Sequence, residues 1–279
     1  MKMVWICLGW AALLPGVVAA EVKVAAQTLR QGGFTLLQVP VSSTVRLGGA
    51  AVPVVPQGGQ AYALLGFDRK EAATRWLEIC PPAAACTTQK ITVASRTYQT
   101  QNVRGVGKAH REPDPHALKQ MAADNAAIAA ARRATLAAAT RGEVAGGLGF
   151  LERFRRPSVG PITGVYGSAR LFDGAERSWH KGVDYAAPTG TPVVAPAAGV
   201  VRLARSTFMS GNLVMLDHGA NLTSLYAHLD TMAVKVGQVV QAGDRLGTVG
   251  TTGRSSGPHL HWGLYVGPVA LDPQFWVAK

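Results

Sequence analysis

Three short stretches of this 279-residue chain carry side chains that could do chemistry together. Gly257-Pro258-His259-Leu260-His261-Trp262-Gly263 sets two imidazoles two residues apart. His180-Lys181-Gly182-Val183-Asp184 sets an imidazole and a carboxylate four apart, and Tyr226-Ala227-His228-Leu229 adds a further imidazole. Four of the seven histidines fall in these three places. Nitrogen and oxygen donors of this kind suit a zinc ion. Taken alone, the paired histidines also fit a strand with two polar residues facing solvent, and the pair does not separate the two readings.

Strands must position such donors. Successive side chains of a strand point to opposite faces, so His259 and His261 share one face and Leu260 enters the core on the other. A fully extended run from His180 to Asp184 would separate their Cα atoms by roughly 13 Å at about 3.3 Å per residue. Two donors each about 2 Å from one metal must lie much closer. The segment is therefore expected to bend, and Gly182, with no Cβ, permits the bend. The surrounding sequence reads as β throughout: Val193-Val194-Ala195, Gly199 to Leu203, Leu213 to Leu216, Leu222 to Tyr226 and Arg245 to Val249, separated by Gly, Asn and Asp turns. Val234 to Asp244 is similar to a turn of lipoyl and biotinyl carrier domains. It lacks their lysine hairpin, so the likeness reports shared β architecture.

Together these residues resemble the motifs of the lysostaphin/LytM-type zinc metallopeptidases, which hydrolyse the peptide cross-links of bacterial peptidoglycan. The resemblance runs from about Pro161 to Trp276 and includes Tyr166-Gly167-Ser168-Ala169-Arg170, Pro188-Thr189-Gly190-Thr191-Pro192-Val193, Ala195 to Val201, Gly211-Asn212, Asp217-His218-Gly219, and Thr252-Gly253 through Gly257-Pro258. Gly164 and Tyr166 stand where the family more often has Ser and Phe, a departure that touches groove shape. The resemblance implies Zn2+ held by His180, Asp184 and His261. His228 and His259 would be the catalytic pair, one accepting a proton from the attacking water and the other donating to the oxyanion or the leaving amine. Asn212 and Tyr226 are expected to line the groove. Two nitrogens and one oxygen leave a fourth tetrahedral place for water, whose pKa zinc lowers to about 7. His218 is expected to stabilise a turn, and His110 and His116 to be exposed.

The expected function is a secreted zinc metalloendopeptidase acting on peptidoglycan stem peptides. The alternative is a non-catalytic cell-wall-binding regulator of other wall hydrolases, against which the full set of five residues counts. Phosphocarrier domains of sugar transport use a similar β architecture with paired histidines, but they are cytoplasmic.

Met1 to Ala20 has a lysine near its start, an apolar stretch, a Pro15-Gly16 break and Val18-Ala19-Ala20 before Glu21, the pattern of a cleaved signal peptide. A retained anchor is the alternative, though the apolar run is short for a span of about 20 residues. Cys7 would leave with the peptide, and export then makes a Cys80–Cys86 disulfide the leading expectation over a metal pair. The periplasm or cell envelope is the expected location. The net charge of +12 fits attraction to anionic envelope surfaces, and no nucleic-acid-binding motif accompanies it.

The fold class expected is mainly β: a C-terminal LytM-type β-sheet/barrel-sandwich catalytic domain over residues 150–279, a small N-terminal β-sandwich over 21–106, and a helical linker over 107–149. Phe34 to Val39, Ala51 to Val55 and Lys90 to Val93 read as sandwich strands, punctuated by Gly48-Gly49 and Gly58-Gly59. Asp114 is expected to cap a helix reaching about Arg141, with Pro115 at its first position and a stripe of Leu118, Met121, Ile128 and Leu136. This helix or the N-terminal domain is expected to cover part of the groove, with Gly146-Gly147 allowing movement.

Overall fold

The computed structural model describes residues 23–27, 29–102, 114–144, 147–172 and 175–277. The expected signal peptide, Cys7, His110 and Gly146 lie outside them.

The N-terminal part is two four-stranded antiparallel sheets. One runs in the order β1 (Lys23–Gln27), β2 (Phe34–Val39), β6 (Gln60–Gly66), β5 (Val54–Gln57). The other runs β4 (Ala50–Val52), β3 (Thr44–Leu47), β7 (Thr74–Cys80), β8 (Thr87–Thr92). Gly48-Gly49 and Gly58-Gly59 turn two of the hairpins, all four with positive φ, as two-residue loops matched to strand twist require. The run from Ala51 to Val55 is not one strand. Pro53 has no N–H for a ladder, and it separates β4 from β5, which belong to different sheets. Leu37, Val39, Val45, Leu65, Phe67, Leu77 and Ile79 fill the space between the sheets. Cys80 and Cys86 are joined by the expected disulfide.

Phe34-Thr35-Leu36-Leu37 does not alternate because both faces of β2 are covered. Leu37 faces the sandwich interior, while Phe34, Leu36, Val55 and Leu64 join the core of the C-terminal part, where Phe34 stacks on Trp276 at 3.9 Å. Two more links cross the same boundary. Arg96 pairs with Asp272 at 2.9 Å, and β9 (Thr100–Asn102) lies parallel to β11 (Ala169–Phe172).

The C-terminal part is built on a ten-stranded sheet. Its main path is β10 (Ile162–Gly164), β13 (Gly182–Ala186), β20 (His259–Val266), β17 (Leu222–Met232), β16 (Gly211–Asp217), β15 (Gly199–Thr207), β18 (Val239–Val240), with β14 (Pro192–Val194), β19 (Arg245–Val249) and β21 (Val269–Leu271) attached. β12 (Ala175–Trp179) forms a hairpin with β11. One face of the large sheet carries Val183, Tyr185, Tyr226, Leu260, Trp262 and Leu264 into the main core. The other carries Leu203, Leu213, Met215, Leu225, Ala227 and Tyr265, and the helix packs on it.

That helix, α1, runs Pro115–Thr140, and Asp114 caps it by accepting the Ala117 N–H at 2.8 Å. The expected apolar stripe is only partly its buried face: Ile128 packs against the core beneath the helix and Met121 is half-buried. Leu118 and Leu136 are 52% and 43% exposed, whereas Ala117, Asp124, Ala131, Thr135 and Ala138 are buried. Small side chains let the helix approach the sheet closely, and Ile128 is the large apolar residue that shares the contact. No helix among the described residues is long and apolar enough to cross a membrane.

Beneath the sheet, His218 does more than hold a turn. Its ring is fully buried; Nδ1–H donates to the Ala198 carbonyl at 2.7 Å, so Nε2 must accept from Ser224 Oγ, also at 2.7 Å. Ser224 then accepts from the Tyr226 hydroxyl at 2.7 Å, and the chain is satisfied only while His218 is neutral. Burial pushes the His218 pKa down to about 4. The unfolded chain takes up this proton near pH 6.5, the folded one only near 4, so the contribution is complete above pH 6.5 and is lost as pH falls to 4. It amounts to about 3 kcal/mol. Urea unfolding of wild type and His218→Asn across that range should show the variant losing less stability with acidification by about this amount; parallel curves would refute it.

Candidate functional site

β13 and β20 pair Asp184 with His261, and β20 and β17 pair His261 with Ala227, so these three positions share one face. His180 lies just before β13, between it and β12. His180 Nε2, Asp184 Oδ1 and His261 Nδ1 converge: 2.9 Å from His180 to Asp184, 2.9 Å from His180 to His261, and 2.8 Å from His261 to Asp184. His180 and Asp184 are buried, and His261 is half-buried.

His180 and Lys181 form the short connection between β12 and β13, and Asp184 lies within β13. Gly182 is a strand residue paired with Gly263, and its missing Cβ serves a close approach: a Cβ there would collide with the Trp262 carbonyl and lie 3.0 Å from His261 Cε1. Gly164 has a similar role. A Cβ on it would collide with Asp184 Oδ2 and lie 2.9 Å from His180 Cε1, so this position bears on the donor cluster as well as on groove shape.

Hydrogen bonds to backbone carbonyls set the ring tautomers. His180 Nδ1–H donates to Val165 O at 3.1 Å, which leaves Nε2 as a lone pair. That nitrogen, the Asp184 carboxylate and His261 Nδ1 thus present three donor atoms to one point, the arrangement a bound cation uses. Burial opposes ionisation of Asp184, but the His180 and His261 rings that face its carboxylate outweigh burial and hold the carboxyl well below the usual range. A buried donor set of two imidazoles and one carboxylate fits a divalent transition metal and leaves a tetrahedral position open.

His259 and His228 flank the cluster. His259 Nδ1–H donates to Gly257 O at 2.8 Å, and its Nε2 is 4.0 Å from Asp184 Oδ1. His228 Nδ1–H donates to Thr252 O at 2.8 Å, and the two rings stand 4.8 Å apart. In the neutral ring each therefore presents Nε2 as an acceptor. Burial first, and then neighbouring His261, push the His228 pKa down to about 3.

Strict alternation would put His228 on the Tyr226 face, away from His261. The chain avoids this with an irregularity. β17 pairs with β20 as far as Ala227 and with β19 from Leu229 onward, and His228 between them takes a left-handed φ of 62°. A bulge of this kind re-aims a side chain, at a cost of about 1–3 kcal/mol for a residue other than glycine.

Asn212 is half-buried, and its side-chain amide donates to Asp230 O at 3.0 Å, tying β16 to β17 beyond His228. Tyr226 does not line a groove. It is fully buried on the core face, bonded to Ser224. His116 is exposed. The groups that hold the histidines in place, Val165 O, Thr252 O and Gly257 O, are backbone carbonyls, and side-chain identity carries no signal for them.

Residues 178–273 match peptidase family M23. Over 87 residues the chain is 46% identical to the peptidoglycan DD-endopeptidase ShyA of Vibrio cholerae, covering 31% of this chain and 20% of that protein. Over 94 residues it is 44% identical to the DD-carboxypeptidase/endopeptidase Mpg of Neisseria meningitidis, covering 34% of this chain and 22% of that protein. The matched region thus spans about a fifth of the length of these curated relatives. A solved structure described as an M23 peptidase from Pseudomonas aeruginosa superposes with a TM-score of 0.65 at 28% identity, covering 90% of this chain and 95% of that one.

Proposed function

Since the chain belongs to peptidase family M23 through residues 178–273, we propose that it is an exported zinc endopeptidase that hydrolyses peptide cross-links of peptidoglycan, with residues 1–20 as its signal peptide and the cell envelope as its place of action. The observation that carries this reading is the convergence of His180 Nε2, Asp184 Oδ1 and His261 Nδ1 on one point, which among the described residues is one of two clusters with metal-ligand geometry. The other is Glu78 with Cys80 and Cys86, whose sulfurs are spent in the disulfide.

In this proposal His180, Asp184 and His261 hold the zinc. Zinc supplies Lewis acidity, which makes water a nucleophile near neutral pH and polarises a carbonyl. His228 and His259 do the proton work. With Nδ1–H committed to a carbonyl, each can accept a proton at Nε2 and return it to a developing oxyanion or a leaving amine. Val165, Thr252 and Gly257 keep the rings from turning. ShyA is named a peptidoglycan DD-endopeptidase and Mpg a DD-carboxypeptidase/endopeptidase, which supports a DD cross-link as the bond cut here.

The test is digestion of purified peptidoglycan by the zinc-loaded protein, with the released muropeptides identified by mass spectrometry. Loss of cross-linked dimers with matching gain of monomers, abolished by a chelator and restored by zinc, is the expected result. Binding to peptidoglycan without any cleavage would overturn it in favour of a wall-binding regulator.

A further inference from the structure

The buried line of α1 runs Ala117, Asp124, Ala131, Ala138, and only one of these carries charge. Asp124 is 4% exposed in the middle of a helix, where a carboxylate needs a strong reason to be. Its Oδ2 accepts the Phe208 N–H at 2.8 Å, and its Oδ1 lies 3.2 Å from Arg205 Nη2. Phe208 belongs to the turn between β15 and β16. Thr207 Oγ1 closes this turn by donating to Gly211 O at 3.0 Å and accepting the Ser210 N–H at 3.2 Å.

That turn holds His228. Ser210 O accepts the His228 N–H at 2.8 Å, and Met209 O accepts the Arg254 N–H at 2.8 Å. Gly211 packs against Thr252 so closely that a Cβ would collide with it, and Thr252 Oγ1 accepts the Asn212 N–H at 2.9 Å while donating to Leu229 O at 2.7 Å. Thr252 O is the acceptor that orients the His228 ring. The backbone N–H and the ring of His228 are thus both held by groups that this turn supplies or braces. A residue in a left-handed bulge depends on such support, because its own backbone preference works against it.

We infer that Asp124 is a positioning residue for His228: the carboxylate on α1 fixes the Phe208 turn, and the turn fixes the bulge that aims the imidazole at the metal cluster. The inference rests on the proposed role of His228 in proton transfer. It gives the helix the opposite sign to a restraint, since loosening α1 would slow the reaction.

The test uses full-length protein with Asp124→Ala and Asp124→Asn, the latter keeping an oxygen acceptor for Phe208. Three quantities are measured: zinc per chain, kcat and KM on a cross-linked muropeptide dimer, and the tautomer of His228 by long-range 1H–15N correlation with labelled histidine. Asp124→Ala should keep its zinc and KM, lose about 10- to 100-fold in kcat through misplacement of a reacting group, and lose the pure Nδ1–H signature of His228. Asp124→Asn should restore most of both. If Asp124→Ala does not fold, Asp124→Ser, too short to reach Phe208, takes its place with the same expectation. A folded variant without the acceptor that retains the wild-type His228 spectrum and kcat overturns the inference, as does an equal loss in the Asn variant or a loss explained by missing zinc. A wild-type protein that cleaves nothing would defeat the functional reading, and the His228 spectrum would still decide this one.

Discussion

His261→Ala should emerge from purification without zinc and hydrolyse peptidoglycan no faster than a chelated control. Its Nδ1 is one of three converging donor atoms, and the remaining two, His180 Nε2 and Asp184 Oδ1, cannot complete a site of three protein ligands. Weakening a group that merely supports a ligand costs about 10- to 100-fold in metal affinity, and removing a donor outright costs more. Metal loss also carries a structural signature. Asp184 would keep a buried carboxylate facing one imidazole, so the variant should be less stable than wild type with zinc and insensitive to added zinc. Elemental analysis and thermal unfolding with and without zinc check both points.

His228→Ala separates proton transfer from metal binding. It removes a ring that stands 6.3 Å from His261 and is bonded to Thr252, and it leaves the three converging atoms in place. Zinc per chain should stay near that of wild type while turnover falls by about 10²- to 10⁴-fold, the usual value of a positioned general acid or base. A metal-free His228→Ala beside a zinc-loaded His261→Ala would require the two assignments to be exchanged.

Much of this site is legible in the sequence because alternation is a strict rule. His259-Leu260-His261 on a strand can only put both imidazoles on one face, and the structure pairs that face with Asp184. Asp114-Pro115 marks the start of α1 for a similarly local reason, a side-chain acceptor followed by a residue with no N–H to satisfy. The failures occur where a local rule is broken by something distant. Alternation alone would put His228 on the Tyr226 face, so its place at the site rests on the resemblance; nothing in Tyr226-Ala227-His228-Leu229 announces a bulge, because the residue with positive φ is not glycine. Gly182 invites a bend, yet the close approach of Trp262 and His261 is its use. Weighting large apolar residues finds Ile128 on the buried face of α1 but also points to Leu118 and Leu136, which are exposed. Its alanines and Asp124 face the sheet because small side chains permit near contact and one carboxylate has a donor waiting in another element.

The double covering of β2 bears on whether the two parts of the chain can be separated. Phe34, Leu36, Val55 and Leu64 seal the same core as Val183, Leu260 and Trp262, so a recombination event that cut the gene between the sandwich and the large sheet would leave both products with a bare apolar surface, a liability for aggregation. In this chain the sandwich and the large sheet therefore cannot be parted without exposing that surface, and a change of side-chain volume on one side of the boundary alters the packing of the other.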